Sequence, residues 1–105
     1  MLLGKMYKLG NVVIAKVQYT DTFEIKRRPA IVLFEEYGNV ICVAITSNPA
    51  MQGIPLTKEE GAIKDSVIKL NYIFTISEKA IDKMLFAISK EKKELIRDEL
   101  IKKLN

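Results

Sequence analysis

The sequence predicts an α+β fold, five or six short strands curled into a small barrel and followed by one C-terminal helix. Three observations predict it. The chain has 105 residues, of which 49% are hydrophobic, so it can fill one core and forms a single domain over 1–105. Short β-branched runs alternate with Gly, Asn, Asp and Pro turn signals as far as Ile88. Beyond it, Leu95, Ile96, Leu100, Ile101 and Leu104 recur at helical spacing.

Gly10-Asn11 marks a turn after a loose N-terminal lead, and Val12–Val17 reads as the first strand. The polar stretch Gln18–Ile25 reads as a loop that ends in the cations Lys26, Arg27 and Arg28. Pro29 fixes its own φ and biases Arg28 toward extended geometry, which predicts a cation at the mouth of the second strand, Ala30–Phe34. That run is apolar at consecutive positions, the pattern of a strand buried on both faces. Glu35-Glu36-Tyr37-Gly38-Asn39 predicts a hairpin turn into an antiparallel third strand, Val40–Ile45. Thr46-Ser47-Asn48-Pro49 has turn chemistry. Ile54–Leu56 reads as a short strand, and Ser66–Leu70 as a longer one that Tyr72–Ile76 can extend. Ser77–Ile88 fits either a helix or a closing strand over Met84–Ile88. Ser89 is placed to cap a helix over Lys90–Leu104, with Lys90, Glu91, Lys93, Glu94 and Lys102 on its wet face.

The composition excludes several chemistries. There is no histidine, which removes the commonest acid–base side chain and metal ligand, and a single cysteine allows neither a disulfide nor a Cys-rich metal site. No metal or other cofactor is expected. Cys42, inside an apolar run, is expected in the core. The formal charge of +4 favours a polyanionic partner. The start of the chain is too short and too soon interrupted for a signal peptide, and no stretch could span a membrane, so a cytoplasmic protein is expected.

The hairpin makes one pair of residues informative. Arg28 enters the second strand and Thr46 leaves the third, so antiparallel pairing makes them neighbours. A planar guanidinium fork beside a hydroxyl suits a phosphate. Taken alone, the cationic cluster reads as a solvated strand lead-in, and Thr46–Pro49 as an ordinary turn.

In order along the chain, Gly10-Asn11-Val12-Val13, Tyr19-Thr20-Asp21, Lys26 to Leu33 and Ala44-Ile45-Thr46-Ser47-Asn48 resemble the MazF/PemK toxin family. Asp65–Leu70, Ile73–Ile76 and the terminal amphipathic helix fit the same pattern. The resemblance implies an SH3-like barrel of MazF/CcdB-like type and a homodimer. It also implies metal-independent cleavage of single-stranded RNA, and a cognate antitoxin whose acidic tail occupies the RNA groove. By position Arg28 matches the family's catalytic arginine and Thr46 its threonine. Glu24 lies where some members carry an assisting carboxylate, although its spacing to Arg28 departs from the pattern. Asn11 replaces an aspartate, a change expected to be structural. Asn71 stands where several members have the Asp or Glu proposed as general base.

Such an endoribonuclease (an mRNA interferase) would let the RNA 2′-hydroxyl attack the adjacent phosphorus, leaving 2′,3′-cyclic phosphate and 5′-hydroxyl ends. Arg28 would stabilise the added charge and Thr46 would hold the same phosphate. Lys26, Arg27, Ser47 and Asn48 would bind the strand. The proton acceptor is Glu24 or solvent. Asn71 leaves room for an inactive RNA- or protein-binding barrel of the same family. A third reading is a CcdB-like gyrase poison acting through C-terminal residues.

Overall fold

The computed structural model describes residues 6–18, 24–48 and 50–105. The N-terminal lead up to Lys5, the Tyr19-Thr20-Asp21 motif and Pro49 lie outside the described residues. Six antiparallel strands form one curled sheet: β1 (Asn11–Gln18), β2 (Ile25–Glu36), β3 (Asn39–Thr46), β4 (Ile54–Leu56), β5 (Ser66–Ser77) and β6 (Ile81–Ala87). A single helix, α1 (Lys90–Leu104), follows. The strand order is β4-β5-β3-β2-β1-β6, so β2 and β3 are central and β4 and β6 are edges.

The near-continuous apolar runs are explained by burial on both faces. Val12, Ile31, Val43, Ile45, Leu56 and Ile68 pack in one cluster that includes Ile96 of α1. Their neighbours Val13, Val32 and Cys42 turn to a second cluster with Ala15, Ala30 and Ile81. Successive side chains of a strand point to opposite faces, so each run supplies both cores. Cys42 lies in the core as its sequence context predicts, and burial pushes its thiol up to about 12.

Two strands differ from their sequence boundaries. β2 begins at Ile25, so Arg28 and Pro29 lie inside the strand rather than at its mouth. Pro29 pairs with Ile14 of β1, while the first β3 pair is Ala30↔Ala44. A proline has no N–H to give a ladder, and it is accommodated where β2 has run past its last pairing with β3. The ambiguous stretch resolves into a 3-10 turn, Glu78–Ala80, and the edge strand β6 against β1. Ser77 Oγ accepts from the Lys79 N–H at the start of that turn.

The β2–β3 hairpin closes at Glu36↔Asn39 around Tyr37 and Gly38, both at positive φ (53° and 78°). This twist matches that of the flanking strands, which is why two-residue hairpins favour it. Gly10, at φ 93°, donates to Val32 O and accepts from the Ile88 N–H, joining β1, β2 and the approach to α1. A side chain there would meet Lys93 of the helix at 2.6 Å, so Lys93 lies over Gly10 instead of standing wholly in water. Asn11 is buried; its Oδ1 accepts from the Lys8 N–H, which an aspartate oxygen could do equally well. Glu35, also buried, accepts from the N–H groups of Met6 and Tyr7 and ties the start of the described chain to β2.

Helix α1 begins as its sequence predicts, with Ser89 Oγ accepting from the Lys92 N–H. Its apolar side is narrower than the periodicity suggests. Ile96 is fully buried and Leu100 packs beside it, whereas Leu95, Ile101 and Leu104 are exposed. The helix is held by polar contacts as well. Lys92 Nζ donates to Pro55 O at 2.6 Å and pairs with Glu60 at 3.2 Å. Glu60 also accepts from the Thr57 N–H, closing a capping box.

Desolvation raises the Glu60 carboxyl, but the Thr57 and Lys92 hydrogen bonds and the Lys92 charge outweigh it, and the net shift is downward. A lowered folded value stabilises the protein above the unfolded carboxyl range and is lost as pH falls through the folded value. Glu60→Gln is therefore expected to be less stable than the parent at neutral pH, with the gap closing on acidification. Urea melts of both proteins across that range check this; a gap independent of pH contradicts it.

Candidate active site

The pleat of β2 divides the cationic cluster. Register with β1 is unbroken over Lys16↔Arg27 and Ala15↔Arg28, so Arg27 and Arg28 turn to opposite faces. Arg27 Nε donates to Asp82 Oδ2 at 2.6 Å, and Lys16 approaches the same carboxylate at 3.8 Å. Lys26 pairs with Glu24 at 3.3 Å. The cluster is thus no single patch, and two of its cations already face carboxylates.

Arg28 and Thr46 come together. The last β2–β3 pair is Ala30↔Ala44, and each residue lies two positions beyond it, on the face shared by that pair. On the other side of β3, Ala44 pairs with Lys69, which brings an unanticipated cation to the same face. Arg28, Thr46, Ser47, Asn48, Lys64 and Lys69 all line one open cavity of about 700 Å³. Lys26, Arg27 and Glu24 do not line it, and neither does Asn71. Its described walls carry three cations, Arg28, Lys64 and Lys69, and no carboxylate. The rest is mainly apolar or aromatic, including Met51, Tyr72, Phe74 and Phe86.

The loop after β3 prepares its polar groups. Thr46 Oγ1 accepts from the Asn48 N–H at 3.2 Å, and a hydroxyl that accepts in this way keeps its own proton to donate. Asn48 Oδ1 accepts from the Ala50 N–H at 3.0 Å, and Asn48 O accepts from the Met51 N–H. The side-chain NH2 of Asn48 then presents donors only. Guanidinium, hydroxyl, amide and two ammonium groups give a wall rich in donors, the chemistry that receives an oxyanion.

Across residues 8–104 the sequence matches the profile of the PemK-like, MazF-like toxins of type II toxin–antitoxin systems. The chain belongs to that family. A solved structure described as an endoribonuclease in complex with its cognate antitoxin, from a mycobacterial species, superposes with a TM-score of 0.71 at 14% identity. The match covers 92% of this chain and 91% of the other. No curated sequence matched at a significant level. The resemblance drawn from Gly10 onward is therefore shown, and the curled sheet with its terminal helix is the MazF-like fold. Among the described residues, no helix is long and apolar enough to cross a membrane.

Lys64 and Lys69 were not legible as part of this cavity. Lys69 lies in an apolar strand, which the β3–β5 register brings beside Ala44, and Lys64 lies in the loop before it and lines the same cavity. The alternation of Ser66–Leu70 places Ile68 and Leu70 inward and so turns Lys69 the other way, the one signal the sequence offered.

Proposed function

We propose that the protein is the toxin of a type II toxin–antitoxin system and a metal-independent endoribonuclease that cuts single-stranded RNA at short sequences, leaving 2′,3′-cyclic phosphate and 5′-hydroxyl ends. The observation that carries this reading is the convergence of Arg28 and Thr46 on a donor-rich cavity whose described lining holds no carboxylate. The endoribonuclease activity of the mycobacterial neighbour agrees with it.

In this reading the substrate brings its own nucleophile. The cavity aligns the 2′-hydroxyl with the phosphorus, and the guanidinium of Arg28 meets two nonbridging oxygens as charge accumulates. Thr46 donates its hydroxyl proton to the same phosphate, its position set by the Asn48 N–H. Ser47 and Asn48 contact sugar or base at the rim. Glu24, paired with Lys26 outside the cavity, is badly placed to take the 2′-hydroxyl proton, and solvent takes it instead. Lys26 and Arg27 attract the strand from outside the cavity.

The protein acts in the cytoplasm as a homodimer, whose pairing would cover exposed sheet edges and lengthen the RNA groove. Its antitoxin partner carries an acidic segment that competes with RNA for the same three cations. A second reading, a barrel of this family that binds RNA or protein without cutting, is favoured by one observation: among the described residues, no carboxylate lines the cavity to serve as base. A gyrase poison acting through C-terminal residues would not depend on Arg28.

Arg28→Ala is expected to lower single-turnover cleavage on the order of a hundredfold or more, the scale of a lost oxyanion donor, with little loss of RNA binding. Arg28→Lys should rescue poorly because an ammonium lacks the fork, and Thr46→Ser should outperform Thr46→Val. End analysis of the products should find cyclic phosphate in excess chelator. Folded Arg28→Ala protein that cuts at the parental rate would overturn the assignment; a parent protein that binds RNA without cutting would favour the second reading.

Salt dependence separates the cavity lysines from Arg27, which faces Asp82. Removing one cation that neutralises a phosphate should lower the slope of log affinity against log salt by about 0.7 for a single strand. Lys64→Ala and Lys69→Ala are expected to do this, and Arg27→Ala to do it less because Asp82 already faces that guanidinium. Equal slopes for all three variants would contradict the division of the cluster.

A further inference from the structure

Strand β5 carries an irregularity that the cleavage chemistry does not use. Between the pairs Val43↔Ile73 and Ala44↔Lys69, β3 advances by one residue and β5 by four. Leu70, Asn71 and Tyr72 therefore have no partner on β3. In a regular strand Lys69 and Tyr72, three positions apart, would turn to opposite faces. Here both line the cavity of Arg28 and Thr46. Bulges of this kind bend a strand and re-aim its side chains, often beside functional sites.

The bulge keeps the core packed and leaves a large ring facing solvent. Leu70 remains in the core at 5% exposure, so the bulge is compatible with packing, but Tyr72 is left 58% exposed. A large aromatic ring at the wall of a positively charged cavity has the composition of a single-strand binding surface, where bases stack on aromatics while cations follow the backbone. Lys69 Nζ, 3.3 Å from Gln52 O, and Lys64 supply the cations beside it.

Resting on the reading of the cavity as an RNA site, we infer that Tyr72 is a base-stacking platform for a nucleotide of single-stranded RNA flanking the cleaved phosphate, with Lys69 neutralising the adjoining backbone. The bulge at Leu70–Tyr72 creates this subsite, bringing ring and ammonium to one wall. Stacking accepts any base, so the subsite contributes affinity and alignment more than sequence choice. The neighbouring Asn71 lines a second groove, between β4, β5 and α1, with Gln52 and Leu95, and Lys69 stands on the border between this groove and the cavity.

The chain contains no tryptophan, so Tyr72→Trp introduces a single reporter at the subsite. The probe is a randomised 2′-O-methyl oligoribonucleotide, which lacks the attacking hydroxyl and cannot be cut by the proposed route. A fluorescently labelled form follows binding by anisotropy, and an unlabelled form follows tryptophan emission. Saturable quenching in step with binding is expected. Tyr72→Phe should bind like the parent, whereas Tyr72→Leu, which keeps apolar bulk and loses the ring, should bind about tenfold more weakly. Thermal melts accompany each variant; if Tyr72→Leu fails to fold, the emission of Tyr72→Trp decides. Binding with unchanged emission, or a folded Tyr72→Leu that binds like the parent, overturns the subsite and leaves the nuclease reading intact. A parent protein that binds none of the probe overturns the RNA reading and the subsite with it.

Discussion

The middle of β2 is buried on both faces, and much of the site follows from that. Ala30, Ile31 and Val32 are fully inaccessible, held between β1 and β3, and their side chains divide between two cores. A one-residue slip in that register would exchange the two cores and is strongly opposed. Arg28 inherits this rigidity because it lies two residues upstream in the same strand. The pleat that puts Ala30 opposite Ala44 also decides that Arg28 faces Thr46, and that Arg27 turns away toward Asp82. A guanidinium on a mobile loop would have to be ordered by its ligand, at a cost in binding free energy that a strand has largely met on folding.

Charge is distributed by the same register. The chain carries 17 basic and 13 acidic residues, so an average wall should show both signs. Around the cavity the described lining is cationic only, while carboxylates gather elsewhere: Asp82 with Lys16 and Arg27, Glu24 with Lys26, Glu60 with Lys92. A net charge of +4 says little by itself, but its separation by strand register concentrates positive potential in a partly desolvated concavity, where field lines focus. The Glu60–Lys92 pair belongs to another task, docking α1 onto the turn after β4 where only Ile96 is fully buried on the helix.

Much of the fold could be read from the residues. The β4 boundaries, the helix with its Ser89 cap, the hairpin turn within Glu35–Asn39 and the core position of Cys42 rest on local chemistry: turn residues, periodicity and apolar runs. What escaped depends on partners distant in sequence. Pro29 looked like a strand start because proline breaks ladders, yet β2 runs through it, paired there only with β1. Ile101 and Leu104 looked like core because periodicity reports spacing and not how much surface the sheet can cover. At the site, the Arg28–Thr46 pairing was legible because a hairpin is a local rule. Lys69 and Tyr72 were not, since their meeting depends on a bulge that leaves no clear trace in composition. Lys26 and Arg27 looked part of the same patch because adjacency in sequence conceals the alternation of a strand.

The lack of a carboxylate in the cavity's described lining can be weighed in energy. A positioned general base contributes about 10²- to 10⁴-fold, or ~3–5 kcal/mol at about 1.4 kcal/mol per decade. A carboxylate about 4 Å from a phosphate oxygen repels it by ~4 kcal/mol at an effective dielectric of about 20, and more as the transition state gains charge. The two effects are of the same size. A site whose substrate already carries the nucleophile thus gives up little by omitting the carboxylate, provided its cations are fixed and its donors aligned. Arg28, paired to β1 two residues from the doubly paired part of β2, and Thr46, held by the Asn48 N–H, meet that condition. An enzyme built this way would owe its rate to position and charge, and would stay sensitive to any polyanion able to fill the cavity, which is what control by an acidic antitoxin segment requires.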